Sequence, residues 1–336
     1  MTLEEAHSLV SQRLDGLDFG ALLPGFHRFR FALYDDVRVC LGDTVLPWDN
    51  RFLGNTAMEY EGGHIAIWKL VPAEPEPDRL AANIVHEMCH AYQLETNAEF
   101  ADEMAGVFYP RDIDNFSARH EENLLLAGLA EGFTPEAWDR LRGLRAARGE
   151  ELPQAVGFEF KTEAIEGVAL YVELAALKKF SPRLHSKKLA ASLAALRDPS
   201  LVFDVRLSCY HSGAVARAVA TANGLPQALS ERAGKGAPAR PRPQGQALEA
   251  AYREYFGKVD KLIADAMAGA EVLPGGARWL AGFDPFNVRS SGNLLYHPDF
   301  IMCKDAGGET RTHMGRFVTA MKGHTREIEA VHLVKG

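Results

Sequence analysis

The chain holds only four cysteines, Cys40, Cys89, Cys209 and Cys303, and they are too widely separated to form a CxxC pair. That spacing argues against both a cysteine zinc site and a disulfide scaffold, and the four read as reduced thiols. No uninterrupted apolar run approaches the roughly 20 residues that a membrane-spanning helix needs. Glu4 and Glu5 stand where a secretory signal would place basic residues. Basic charge is also in short supply. With 37 Lys and Arg against 45 Asp and Glu, the formal net charge is -8, and no overall basic field exists to hold a phosphate backbone. The expectation is a cytoplasmic protein with neither a membrane nor a nucleic-acid partner. What remains, 336 residues of which 47% are hydrophobic, is ordinary globular composition, enough for one large or two modest domains.

Residues 2 to 15 carry Leu3, Ala6, Leu9, Val10 and Leu14 at helical spacing. Over 26 to 41 and 55 to 71 the pattern changes to aromatic and β-branched residues in partial alternation, which predicts a sheet across about 26 to 71. Pro72, Pro75 and Pro77 stop the last strand, and Asp78 is the expected N-cap of a helix over about 78 to 95. Segments near 120 to 147, 159 to 180, 186 to 197 and 208 to 223 have apolar residues three and four apart and read as helices. Residues 231 to 246 lack such periodicity and read as an exposed linker or loop. A helix over about 247 to 269 follows, and 294 to 334 returns to short strand-like runs. The class predicted is α+β: a strand-rich start and helical middle over 1 to 230, then a C-terminal helix with a small mixed unit over 247 to 336.

The chemistry is concentrated at residues 86 to 90, HEMCH, inside the helix that follows the prolines. Four residues make a little more than one helical turn, so His86 and His90 project from the same face at adjacent levels. Two neutral imidazoles can then share one zinc ion, and a catalytic zinc needs one further protein ligand while keeping a position for water. Glu87 stands beside them, placed to take a proton from that water. Arg79, Asn83, His86, Glu87 and His90 form a polar stripe, with Ile84, Val85, Met88 and Tyr92 on the core-facing side. Cys89 points off the two-histidine face and reads as packed. His64, His120, His185, His297, His313, His324 and His332 are scattered without ligand spacing and receive no role.

Together with residues 163 to 173, EAIEGVALYVE, this pattern resembles the zincin metallopeptidases, and specifically the gluzincin branch, in which HExxH is completed by a glutamate on a second helix. In gluzincin aminopeptidases that helix has the form E-G-x-A-x-Y-x-E, matched here by Glu166, Gly167, Ala169, Tyr171 and Glu173. The resemblance implies a zincin-like domain whose Zn2+ is held by His86, His90 and Glu166, with Glu87 as general base and a peptide as substrate. Glu163, one turn earlier, is the alternative third ligand or an outer partner of a histidine. Gly167 is expected to let its helix approach the HEMCH helix closely. Gluzincins place a Tyr or His across from the metal to stabilise the oxyanion; here Tyr210 takes that role, with His211 in reserve, at the start of a helix beginning at Ser208. Residues 63 to 71 would be the edge strand along which an extended substrate lies. Residues 56 to 60, TAMEY, resemble the G-A-M-E-N segment that holds a free amino terminus, with departures at Thr56 and Tyr60, and would make Glu59 an amine anchor. IVHEMCHAY is also similar to the helix of SprT-like proteases, which complete their site with a third histidine. A non-catalytic zincin scaffold is the remaining alternative, in which Glu87 would have no task.

Overall fold

The computed structural model describes residues 1–71, 76–226, 245–274 and 278–335, so nearly all of the segment read as a linker, 231 to 246, lies outside the described residues. Helix α1 (Leu3–Asp15) begins at a capping box: the Thr2 hydroxyl accepts from the Glu5 amide, and the Glu5 carboxylate accepts from the Thr2 amide. A short α2 (Phe19–Leu22) leads into five strands, β1 (Arg30–Tyr34), β2 (Arg38–Leu41), β3 (Thr44–Pro47), β4 (Thr56–Tyr60) and β5 (Gly63–Lys69). They form one sheet in the order β3-β2-β1-β5-β4, with β1 parallel to β5 in the register Arg30 to Ile65 and Tyr34 to Lys69. One expectation is corrected here. β5 is bonded on both sides, so the edge strand is β4 and not 63 to 71. The cause is the two-residue turn Glu61-Gly62, both at positive φ, which folds β4 back onto β5 and covers its free edge.

Helix α3 (Pro77–Glu95) carries the HEMCH segment. Its N-cap is Glu76, with Pro77 pre-set for the first turn; Asp78, expected as the cap, lies inside that turn and pairs with Arg13 of α1 at 2.8 Å. There follow α4 (Glu103–Val107), α5 (Ile113–Glu131), α6 (Pro135–Glu151) and α7 (Pro153–Thr162). The helix expected over 120 to 147 is thus two, separated where Thr134 caps a new start and Pro135 opens it. α7 runs through a π-helical turn, Glu163–Gly167, into α8 (Val168–Phe180). α9 (Pro182–Arg197) and α10 (Val205–Ala222) complete the helical middle. α10 starts three residues earlier than expected, because Asp204 caps it through the Leu207 amide, so Tyr210 and His211 sit in its second turn.

After α11 (Gln246–Ala268) come β6 (Ala270–Val272), β7 (Arg278–Phe283), β8 (Arg289–Ser291), β9 (Leu294–His297), β10 (Phe300–Lys304), β11 (Thr310–Met314), β12 (Phe317–Met321) and β13 (Glu327–Val334). Their sheet has the order β11-β10-β7-β13-β12-β9-β8, with β6 added to β13, and is larger than the unit expected over 294 to 334. β6 and β8 have three residues each, too few to show alternation.

The class is mixed α+β. Its main core lies where α3 is held between the first sheet and α8: Leu33, Ala66, Leu80, Ile84, Met88 and Val172 are fully buried in one cluster. Each large apolar side chain so buried contributes roughly 1.5–3 kcal/mol. The C-terminal sheet has its own core around Leu280, Leu295, Ile301 and Met321, and α11 covers it through Val259 and Ile263 against Tyr296 and Val318. This packing presents one face of α3, one turn before α8 and the second turn of α10 to a common cleft.

Candidate metal centre

One helical turn apart on α3, the His86 and His90 rings stand with centroids 5.0 Å apart and planes at 75°. The π-helical turn brings Glu166 to them: its Oε2 is 3.2 Å from His90 Nε2 and 4.0 Å from His86 Nε2. One donor atom from each of the three residues falls within 4.8 Å of the others. Glu166 Oε2 is buried and makes no well-formed hydrogen bond among the described residues; its near neighbour is His90 Nε2, with which it forms an ion pair when that ring is protonated. A buried carboxylate oxygen facing imidazole nitrogens needs positive charge beside it, which either a proton on His90 or a cation between the imidazoles would supply. Two imidazoles and a carboxylate are also the donor set of a catalytic zinc site with one position left for water. The residues therefore fit the ion.

The outer ring nitrogens are occupied as metal-ligating histidines require. His86 Nδ1 is 3.2 Å from Glu173 Oε2, and Glu173 also takes the ammonium of Lys188. His90 Nδ1 is 2.8 Å from Gln93 Oε1, and Gln93 Nε2 donates to the Ile165 carbonyl at 2.9 Å. Both rings thus turn Nε2 inward. Burial opposes charge on Glu166 and His90 alike, but each holds the other charged: Glu166 is drawn down to about 2, with Arg206 and His86 contributing, and His90 is lifted to about 9.

Glu163 does not face this site. Its carboxylate is gripped by Arg145 through two bonds of 2.7 and 2.8 Å and accepts from the Ser212 hydroxyl, so its oxygens are already taken. A regular α-helix would put residues 163 and 166 on one face; the wider π turn splays them, one toward Arg145 and one toward the histidines. Gly167 is needed here, though not for the contact expected of it. A Cβ on Gly167 would lie 2.5 Å from Gly213 Cα, so the glycine admits α10 and not α3.

That close crossing sets the second turn of α10 against the site. The Tyr210 ring lies 6.1 Å from that of His86 and is tilted by only 12°. Burial, reinforced by the charge of Glu166, pushes its phenol well above the usual range, so it remains a proton donor. His211 lines the same cleft, but burial, with Lys188 adding to it, brings its imidazole down to about 4. It is uncharged near neutral pH and is no imidazolium donor. Glu87 is buried, and burial first of all holds its carboxyl above the ordinary glutamate range.

Sequence reasoning passed over two residues. Gln93 is three residues after His90, on the ligand face, and that spacing was the available signal. Arg206 had none that set it apart from other arginines. One of its guanidinium nitrogens is 2.5 Å from Glu166 Oε1 and another 2.5 Å from Glu103 Oε1, which leaves Glu166 Oε2 as the oxygen turned to the histidines.

The cleft has a volume of about 730 Å³; Asn55 with Thr56 and Ala57 at the start of β4 line one side, and Leu207, Tyr210 and His211 of α10 line another. Glu59, considered as an amine anchor, is exposed opposite His64 and is not among the lining residues. The seven histidines given no role join no metal-binding group among the described residues. Cys89 is buried, and burial lifts its thiol to about 12. Compared with protein-family models, with curated proteins and with solved structures, the chain matches none.

Proposed function

We propose that the chain is a zinc-dependent metallopeptidase of gluzincin type. The observation that carries the reading is the convergence of His86 Nε2, His90 Nε2 and the buried Glu166 Oε2 on one point, with Glu87 on the same helix and Tyr210 across the cleft. A zinc ion held by His86, His90 and Glu166 would supply Lewis acidity to a water molecule and to the scissile carbonyl. The chain's own groups do the rest. The β4 edge offers main-chain hydrogen bonds to an extended peptide. Glu87, whose carboxyl is held above the usual range by burial, accepts the proton of the attacking water and delivers it to the leaving amine. Tyr210 keeps its proton and donates toward the negative charge that grows on the carbonyl oxygen, where binding accelerates the reaction.

Catalysis is assigned to residues 1 to 230, with 247 to 336 as an accessory unit. No helix among the described residues is long and apolar enough to cross a membrane, and the four cysteines are buried and free, in keeping with a cytoplasmic setting. A SprT-like site would require a histidine where Glu166 stands. The test of the reading is Glu87→Gln. It is expected to lower peptide hydrolysis by at least about 100-fold while zinc content and melting temperature persist. Undiminished turnover would remove the general base and the mechanism with it.

A further inference from the structure

The turn between β7 and β8, residues 284 to 288, reaches from the C-terminal sheet into the metal cleft, which Pro285 and Phe286 help to line. It is a stiff turn. Asp284 accepts from the Phe286 amide at 2.9 Å and from the Asn287 side chain at 2.7 Å, and Arg289 holds the Phe286 carbonyl at 2.8 Å. The Phe286 ring covers the guanidinium of Arg206 at 4.9 Å and lies 6.0 Å from Tyr210, yet 46% of the residue is exposed. Two other exposed large apolar residues line the same cleft, Leu207 at 41% and Phe100 at 44%. Single exposed apolar side chains are ordinary, but three from separate elements converging on one cleft mark a surface meant to be covered.

The two basic side chains of the cleft, Lys188 and Arg206, are already engaged. Lys188 is bound to Glu173, and Arg206 to Glu103 and Glu166. A peptide's terminal carboxylate would have to compete with Glu173, Glu103 or Glu166 for these cations.

We infer that the C-terminal sheet forms one wall of the substrate cleft, and that through Phe286 it selects an internal segment of an extended polypeptide carrying a large apolar side chain. The inference deepens the metallopeptidase reading and rests on it for the scissile bond. Phe286 and Leu207 receive that side chain beside the ion, β4 aligns the backbone, and neither peptide terminus takes part. Phe286 is a specificity-determining residue held in place by Asp284 and Arg289.

The test uses zinc-loaded full-length protein and paired ten-residue peptides, blocked at both ends, that differ by Leu or Ser at one central position. Cleavage is read by mass spectrometry, and binding to the Glu87→Gln protein by calorimetry. The Leu peptide should be cut at least about 10-fold faster and bound more tightly than the Ser peptide. Phe286→Ser should erase most of that difference in both readouts, Phe286→Leu should restore most of it, and Trp279→Ser, at an exposed aromatic of the same sheet, should leave it unchanged. Equal cleavage of both peptides, discrimination that survives Phe286→Ser, or cleavage confined to peptides with a free end would overturn the inference. Phe286-dependent binding of the Leu peptide without cleavage by the wild type would support the cleft assignment and reject the peptidase reading instead.

Discussion

His297 shows how far one buried side chain can be held from its ordinary titration. It is 1% exposed; Nε2 is 3.0 Å from the Thr319 hydroxyl, and Nδ1 has no hydrogen-bond partner among the described residues. Burial brings its imidazole down to about 3, so the fold accepts it as the neutral ring. An unfolded chain would titrate this histidine near 6.5 and so binds the proton more readily than the native state. Its contribution to stability is therefore complete above about pH 6.5 and is lost as pH falls toward 3, at up to about 1.4 kcal/mol per pH unit. Between pH 6.5 and 4.5, chemical denaturation of the wild type should show a steeper loss of stability than His297→Gln, with chelator present in both series. Parallel slopes would mean that the ring is protonated or solvated in the native state. The Arg145 and Glu163 pair lies at the same scale: both are buried, and their attraction offsets a desolvation cost that can be as large, so the pair fixes direction more than it adds stability.

Among the elements, the crossing of the π-helical turn with α10 decides whether the site assembles. Gly167 and Gly213 meet with no room for a Cβ on either: one on Gly213 would lie 2.8 Å from the Glu163 carbonyl oxygen and 2.9 Å from Gly167 Cα. Gly213→Ala should cost about 1–3 kcal/mol through overpacking, and should also weaken zinc binding by moving Glu166 and Tyr210 apart. Gly128→Ala, at an exposed α5 position with nothing near the new methyl, should be neutral or stabilising by up to about 1 kcal/mol. Equal effects in thermal unfolding would contradict the close-crossing account.

The same elements separate what was legible in the sequence from what was not. α3 could be read because a 3.6-residue period and the His spacing are local facts, and Glu166 because its motif neighbours lie within eight residues. The divergence of Glu163 from Glu166 could not, since Arg145 and Ser212, which draw Glu163 away, come from α6 and α10. Nor could the edge strand be placed. The residues of β5 suit an edge or an interior position alike, and the hairpin turn Glu61-Gly62 decided it.

At the scale of the whole molecule, the first sheet packs on α3, and α11 with the C-terminal sheet is tied to the helical middle by named bonds. Arg111 pairs with Asp260 at 2.7 Å, Arg326 with Asp102 at 3.0 Å, and the Ser290 hydroxyl donates to the Val107 carbonyl at 2.7 Å. The chain between α3 and the π turn is filled by α4 to α7, which bring Arg145 and Glu122 together against Glu163 of that turn, and α10 and the β7–β8 turn line the cleft. The claim on which all of this depends is that Glu166, and not Glu163, joins His86 and His90 around one zinc ion. Elemental mass spectrometry on purified wild type, Glu166→Gln and Glu163→Gln, with folded protein selected by size exclusion, tests it directly. The account predicts about one zinc per chain in wild type and in folded Glu163→Gln, and loss of zinc in Glu166→Gln. A wild type that stays free of zinc after supplementation, or a Glu166→Gln protein that keeps it, would contradict the account.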